Sequence, residues 1–294
     1  MLEIKNLNKK FNNHYALKNI NISFEKGKIY GIIGTNGSGK TTLFNIISGI
    51  FKPDIGEILI DNIPIFNNKI SKSSIIYIHD NCFYFKYYTP IEMAKYYGDL
   101  YKNFDLNFFY EICKSLDINP KKQISTLSKG QKNQVFIAIA LSLKTDFILM
   151  DEILDGIDII KLDIIKKILI NEMDKRIFTP IICTHTFDNL YDITDNLILI
   201  NNGNIIFNES IYNLSNNIFK INIICKDLNI DNLKKDFNII KTTKEGSLIS
   251  LIVNDDKDKV LHILNKYNPM FLEDLSLNFR ELFNLKIEEF NAKI

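Results

Sequence analysis

The sequence predicts an α/β domain built on a mainly parallel sheet, followed by a small α+β domain. Three observations predict it. Over the first 210 or so residues, short β-branched runs alternate with helical patterns. Within that stretch, Lys28 to Ile33 reads as a strand that runs into a glycine-rich turn and then into Thr41 to Ser48, whose apolar residues recur at helical spacing. After Asn208 the pattern changes: Ile218 to Cys225, Asn238 to Thr242 and Ser247 to Val253 read as antiparallel strands, and Lys257 to Lys266 as a helix.

The other elements follow in order. Between about residues 82 and 145 the strand signals give way to helical ones, which reads as a helical insertion. Phe147 to Met150 and Pro180 to Thr184 read as buried strands, each ending in polar residues where an α/β sheet places its ligands. The expected domains are 1–212 and 213–294, with the junction near Leu214, and no internal repeat is visible.

Bulk properties exclude several classes. In 294 residues, 46% of them apolar, there is room for a substantial core. Thirty-six basic residues against 35 acidic ones leave a formal charge of +1, so no global field favours nucleic acid or anionic lipid. The four cysteines, Cys82, Cys113, Cys183 and Cys225, lack paired spacing, which argues against a disulfide framework or a zinc site and fits a reducing cytoplasm. The start, Met1-Leu2-Glu3-Ile4-Lys5, does not look like a secretion signal. Apolar runs fall far short of the roughly 20 residues of a membrane span, so a membrane role would need another chain to do the crossing.

Gly34-Thr35-Asn36-Gly37-Ser38-Gly39-Lys40-Thr41 fits G-x-x-x-x-G-K-[ST], after a strand and opening a helix. It resembles the phosphate-binding loop of P-loop NTPases. Its backbone N–H groups can wrap a polyphosphate at the positive end of a helix. Lys40 is expected on the β- and γ-phosphates of ATP, Thr41 on Mg²⁺, and Thr42 on a further phosphate oxygen. A dinucleotide site is disfavoured, because position 42 is Thr where that pattern has its third glycine. About 110 residues after Lys40, Phe147-Ile148-Leu149-Met150 ends in Asp151-Glu152. Asp151 is expected to hold Mg²⁺ and Glu152 to act as general base on the attacking water.

Between these motifs stands Leu127-Ser128-Lys129-Gly130-Gln131, followed by the helical pattern Lys132 to Leu143. It resembles the LSGGQ signature of ABC ATPases, with Lys129 where that signature has a glycine. The resemblance covers roughly the first 210 residues. It implies an ABC cassette with an antiparallel N-terminal β part, a helical subdomain near 82–145 and a mainly parallel core sheet. It also implies head-to-tail pairing, with itself or a related cassette, so that Ser128, Lys129, Gly130 and Gln131 meet ATP bound by the partner. A hydroxyl and free N–H groups at a helix start suit an anion, and Ser128 can serve as an N-cap at the same time.

Further positions carry the resemblance. Phe11 stands where these cassettes stack an aromatic ring on adenine, with Tyr15 and a purely core role for Phe11 as the alternatives. Asp155-Gly156-Ile157-Asp158 resembles the D-loop, Asp158 reaching across the dimer. Thr184-His185 resembles the switch segment, His185 standing 33 residues after Glu152. Two departures stand out. Asp80, in Tyr77-Ile78-His79-Asp80-Asn81, aligns with the glutamine that senses Mg²⁺ and couples to the membrane partner, and Ile153 replaces the usual proline. Asp remains an oxygen donor for Mg²⁺, but a shorter, charged one.

What the resemblance implies is an ATPase on the cytoplasmic face of the cell membrane, driving export of a drug, peptide or lipid through separate permease subunits. The closing segment 272–283 resembles, more loosely, cassettes of ABC-2-type exporters. Phe83, Tyr84, Phe85, Tyr87 and Tyr88 form an aromatic cluster that either receives a helix of the permease or packs the helical insertion. The rival readings are a regulatory subunit with weak hydrolysis and a soluble non-transport ABC ATPase. The missing repeat and the short insertion speak against the latter.

Overall fold

The computed structural model describes residues 1–184, 191–213, 218–225, 228, 230–277, 281, 285 and 288. The chain divides into two units, Met1–Asn208 and Glu209–Ile294, a few residues ahead of the expected junction.

The first unit opens with an antiparallel sheet of β1 (Leu2–Phe11), β2 (His14–Phe24), β4 (Ile55–Ile60) and β5 (Ile63–Pro64) in the order β2-β1-β4-β5. Leu2, Ile4 and Leu7 of β1 are buried and their neighbours are not, the alternation of a sheet with one wet face. The change of phase between Ile4 and Leu7 falls at a register shift, where Asn6 takes φ 49°. Asn tolerates this left-handed geometry better than most residues.

The second sheet has the order β10-β9-β3-β8-β7-β6, comprising β3 (Tyr30–Ile33), β6 (Ile75–His79), β7 (Phe147–Asp151), β8 (Thr179–Cys183), β9 (Asn196–Asn201) and β10 (Asn204–Ser210). The pairs β6/β7, β7/β8, β8/β3 and β3/β9 are parallel. Every residue of β3, β7 and β8 is buried, which is why these strands read as continuous apolar runs. Helix α1 (Lys40–Ile47) follows β3 and buries Leu43, Phe44, Ile46 and Ile47 in a core shared by both sheets. The Phe44 ring meets Tyr77 of β6 edge to face, centroids 6.0 Å apart.

The helical insertion comprises α3 (Pro90–Leu100), α4 (Leu106–Ser115) and α5 (Lys129–Ser142), after a short α2 (Lys69–Ser73). Thr89 and Glu92 form a capping box at the start of α3, with Pro90 in its first turn. Helix α5 is buried continuously from Asn133 to Ser142, so it has no wet face to pattern. Two of its buried polar side chains are paired internally: Asn133 Nδ2 donates to Ile153 O at 2.9 Å and Ser142 Oγ to Ala138 O at 2.8 Å. Helix α6 (Ile159–Lys175) ends on a buried charge cluster in which Glu172 accepts from Lys144 and Arg176, each at 2.7 Å.

The second unit is a four-stranded antiparallel sheet, β12-β13-β11-β14, with α7 (Ile230–Asp236) and α8 (Lys257–Asn265). Ile221, Ile223, Leu251 and Val253 pack with Leu233, Phe237, Val260 and Leu264. Strands β11 (Ile218–Ile224), β12 (Ile239–Glu245) and β13 (Leu248–Asn254) correspond to the three expected runs, and α8 to the expected helix. Strand β14 (Phe271–Ser276), which pairs with β11, was not expected.

Phe44→Ala is expected to cost about 3–5 kcal/mol of unfolding free energy, because the ring is fully buried and its cavity cannot collapse against two sheets. Urea denaturation checks this, and a loss under about 1 kcal/mol would show that the ring is not an anchor of the core.

Candidate functional site

Strands β6, β7, β8 and β3 bring one row of residues to their carboxyl ends, His79 paired with Asp151, Asp151 with Cys183, and Cys183 with Ile32. The loop 34–39 leaves β3 at that edge, which is where an α/β sheet offers a ligand crevice.

The loop is held tightly. Ser38 N donates to Thr35 O at 3.1 Å, and Ser38 O accepts from Gly203 N at 2.9 Å. Gly39 has φ 111°, and a Cβ there would sit 2.6 Å from Ala16 O and 2.8 Å from Leu17 Cδ2. Only glycine tolerates both the angle and the approach of β2. Lys40 is buried and folds back over the loop, donating to Gly34 O at 2.9 Å and Thr35 O at 3.0 Å. These carbonyls hold the ammonium over the loop that would cradle phosphates. Thr35, Asn36, Gly37 and Thr41 are exposed and Thr42 is half-buried, so the loop tip and the first turn of α1 are open to a ligand.

Asp151 is buried at the end of β7. Its Oδ2 accepts from Tyr77 OH at 3.1 Å, while Oδ1 is buried without a hydrogen-bond partner. A buried carboxylate oxygen with no partner is costly, and a divalent cation is the ligand that would relieve it. Burial, and then the Asp151 charge, hold the Tyr77 phenol well above its usual range, so Tyr77 stays a hydrogen-bond donor. Burial likewise pushes the Cys183 thiol up, with Asp151 adding to it. Glu152, half-buried, takes φ 53° and donates its N–H to Cys183 O at 2.8 Å. A left-handed non-glycine residue is a local strain that surrounding structure must hold. It turns the chain so that two consecutive carboxylates enter different surroundings.

The segment after Glu152 is tied to both neighbouring motifs. Thr184 Oγ1 donates to Asp155 Oδ1 at 2.6 Å. Gly130 lies so close to the turn that a Cβ on it would be 2.9 Å from Gly156 O. Asp158 is exposed and caps α6, accepting from Lys161 N at 2.9 Å. Ser128 caps α5 reciprocally with Gln131: Gln131 N donates to Ser128 Oγ at 3.2 Å and Ser128 N to Gln131 Oε1 at 3.1 Å. Phe11 is 44% exposed and touches Phe51 edge to face at 5.8 Å, so it is a rim ring and not a core one. Tyr15 is also exposed, under the Lys10 ammonium at 4.1 Å. His185 lies outside the described residues.

Asp80 pairs with Lys129, whose Nζ donates to Asp80 Oδ2 at 2.8 Å. Burial raises the neighbouring Cys82 thiol to about 11, so it stays protonated and unreactive at neutral pH. Among the described residues no group of three or more His, Cys, Asp or Glu gathers as a metal cage. A Mg²⁺ held by one or two protein oxygens and by phosphates does not need one. Sequence reasoning missed Tyr77 as the partner of Asp151. The signal was a lone phenol in the apolar run Ile75-Ile76-Tyr77-Ile78.

Residues 17–155 match the family model described as ABC transporter. The chain is 26% identical over 287 residues to the ABC transporter ATP-binding protein YtrB of Bacillus subtilis (strain 168), covering 97% of this chain and 98% of that protein. It is 35% identical over 219 residues to the cytochrome c biogenesis ATP-binding export protein CcmA of Reclinomonas americana, covering 72% of this chain and 96% of that protein. It is 26% identical to the galactose/methyl galactoside import ATP-binding protein MglA of Clostridium perfringens (strain 13 / Type A), covering 88% of this chain but 52% of that protein. Among solved structures, a dimeric bacterial ABC transporter cassette superposes with TM-score 0.64 at 26% identity, over 72% of this chain and 99% of that one.

Gly39→Ala is expected to abolish binding of a fluorescent ATP analogue and to cost about 1–3 kcal/mol of stability through backbone strain. Fluorescence titration and thermal unfolding check the two effects separately.

Proposed function

The chain belongs to the ATP-binding subunits of ABC transporters, and on that premise we propose that it hydrolyses ATP to power export of a drug, peptide or lipid through separate ABC-2-type membrane subunits. One observation carries the hydrolytic part: the loop 34–40 and the buried Asp151, with its unpartnered Oδ1, meet at one sheet edge. ABC cassettes bind nucleotide, form dimers and work with membrane permeases. No helix among the described residues is long and apolar enough to cross a membrane; the permease is proposed as separate chains, and the cytoplasmic face of the membrane as the location, by likeness to the family.

The proposed roles follow from the geometry. Lys40 exchanges its two carbonyl partners for phosphate oxygens. Loop N–H groups and Thr42 add neutral donors, and Phe11 offers its exposed face to adenine. Asp151 Oδ1 and the Thr41 hydroxyl fit Mg²⁺, which when bound neutralises charge on the β- and γ-oxygens. Glu152 orients and deprotonates water; for His185, which lies outside the described residues, the proposed role is the family's contact with the γ-phosphate. Ser128, Lys129, Gly130 and Gln131 receive the ATP of the second cassette, and Asp158 lies at that interface.

The export reading rests on the likeness to the CcmA export protein; the likeness to YtrB, over nearly the whole chain, supports an ABC transporter ATP-binding subunit without a direction of transport. Import proteins are relatives too, and the chain spans about half of MglA. For the permease socket, Phe83 and Tyr87 are exposed while Phe85 packs on Tyr88 and Tyr96 at 4.6 and 5.3 Å. The cluster therefore divides into an inner packed part and an outer face, and the outer face suits a partner helix. A regulatory, weakly hydrolysing subunit remains the second reading, because the Asp80 carboxylate is engaged by Lys129.

Steady-state phosphate release should be measurable for the wild type and fall about 10²–10³-fold or more in Glu152→Gln, as loss of a general base does. A wild type with no activity above Glu152→Gln would favour the regulatory reading. Separately, Tyr87→Ala should reduce copurification with the permease while leaving nucleotide affinity unchanged. Full copurification would move the socket elsewhere.

A further inference from the structure

Lys129 and Asp80, two positions at which this chain departs from the patterns it resembles, lie 49 residues apart in sequence and meet as an ion pair at 2.8 Å. We propose that this pair is a latch: it occupies both groups until a second cassette engages, and it then opens, releasing the Lys129 ammonium to the γ-phosphate held there. The proposal rests on the dimeric cassette reading and adds a gate to it.

Placement at the helix start argues for exchange. Lys129 is the first residue of α5, directly after the Ser128 cap. A cation there faces the positive end of the helix dipole, so it is ill placed unless an anion stands near it. Asp80 is that anion now. The Lys129 side chain is 65% exposed, so packing does not fix it, and the carboxylate does. After Asp80, the charges of Glu152 and Asp155 also raise the Lys129 pKa.

Asp80 is held to receive it. Its Oδ1 accepts from Asn81 Nδ2 at 2.9 Å and its Oδ2 from Lys129. Asn81 N donates to His79 Nδ1 at 3.3 Å, and Cys82 N donates to His79 O at 3.2 Å, which sets the turn. His79 is the β6 partner of Asp151. The latch thus joins the strand beside Asp151 to the first turn of the signature helix, two parts that must reorganise together if a second cassette is to close on the site.

The energetics favour opening. An exposed pair of single charges is weak and screened by salt. A triphosphate presents several negative charges to Lys129 and to the helix N-terminus at once. Asp80 alone cannot compete with it for the ammonium.

The test is ATP-driven dimerisation in the Glu152→Gln background with Mg²⁺, followed by light scattering at low ionic strength. Lys129→Gln should raise the ATP concentration for half-maximal dimer about tenfold, and Lys129→Arg should keep the parent value. Asp80→Asn should favour dimerisation about threefold more when Lys129 is present than in Lys129→Gln. The comparison cancels any metal contact of Asp80, which is lost in both arms. No effect of Lys129→Gln, or an Asp80→Asn effect independent of residue 129, overturns the latch alone. If the Glu152→Gln parent binds a fluorescent ATP analogue yet does not dimerise, the dimer reading falls and the latch with it.

Discussion

A carboxylate buried at the end of a central parallel strand is a liability in any fold, since desolvating it costs several kcal/mol unless partners are supplied. Asp151 is such a group, and much of the first unit is arranged about it. β6 contributes Tyr77 to one oxygen, β8 sets the Cys183 thiol beside it, and α1 braces Tyr77 through Phe44. The other oxygen is left without a partner. The fold tolerates this because the surrounding core is large and apolar, so that one incomplete polar site is borne by many complete contacts. An incomplete buried oxygen of this kind can accept a ligand, and that supports the proposed site for ATP and its metal at this edge.

The environments of Asp151 and Glu152 show how one backbone angle can divide labour between neighbours. Asp151 ends an extended strand and is buried. Glu152, at φ 53°, leaves the strand and is only half-buried. A carboxylate locked against a phenol suits a static ligand, whereas one at the margin suits contact with water. Had β7 continued straight, alternation would have sent Glu152 to the opposite face of the sheet from Asp151.

The parts of this arrangement that could be read from the sequence are those whose signal is local. The loop 34–41, the buried run ending in Asp151-Glu152 and the Ser128 cap each lie within a few consecutive residues whose chemistry and backbone geometry are coupled. What could not be read is what folding brings together from afar. Tyr77 reaches Asp151 across 74 positions, and Lys129 reaches Asp80 across 49. Neither partner has a pattern that announces the other. Strand β14 escaped notice for a different reason: Phe271-Leu-Glu-Asp-Leu-Ser276 carries two adjacent acids that break the period of two, and it is pairing with β11, not intrinsic preference, that makes it a strand. The β-branched runs of β11 and β13 needed no such help, because burial alternates residue by residue from Phe219 in β11 and throughout β13.

Signature and glutamine-loop positions are usually weighed one at a time, and taken singly both departures look like losses. A lysine removes a small, flexible residue from a phosphate-facing turn. An aspartate shortens a reach and adds a charge. Taken together they cancel, because each supplies the charge the other lacks. A lone Asp80 would repel an incoming triphosphate, and a lone Lys129 would stand unbalanced at a helix N-terminus. The pairing balances the charge of each residue against the other. Position 129 is therefore not to be judged a defective glycine, nor position 80 a defective glutamine, without reference to its partner.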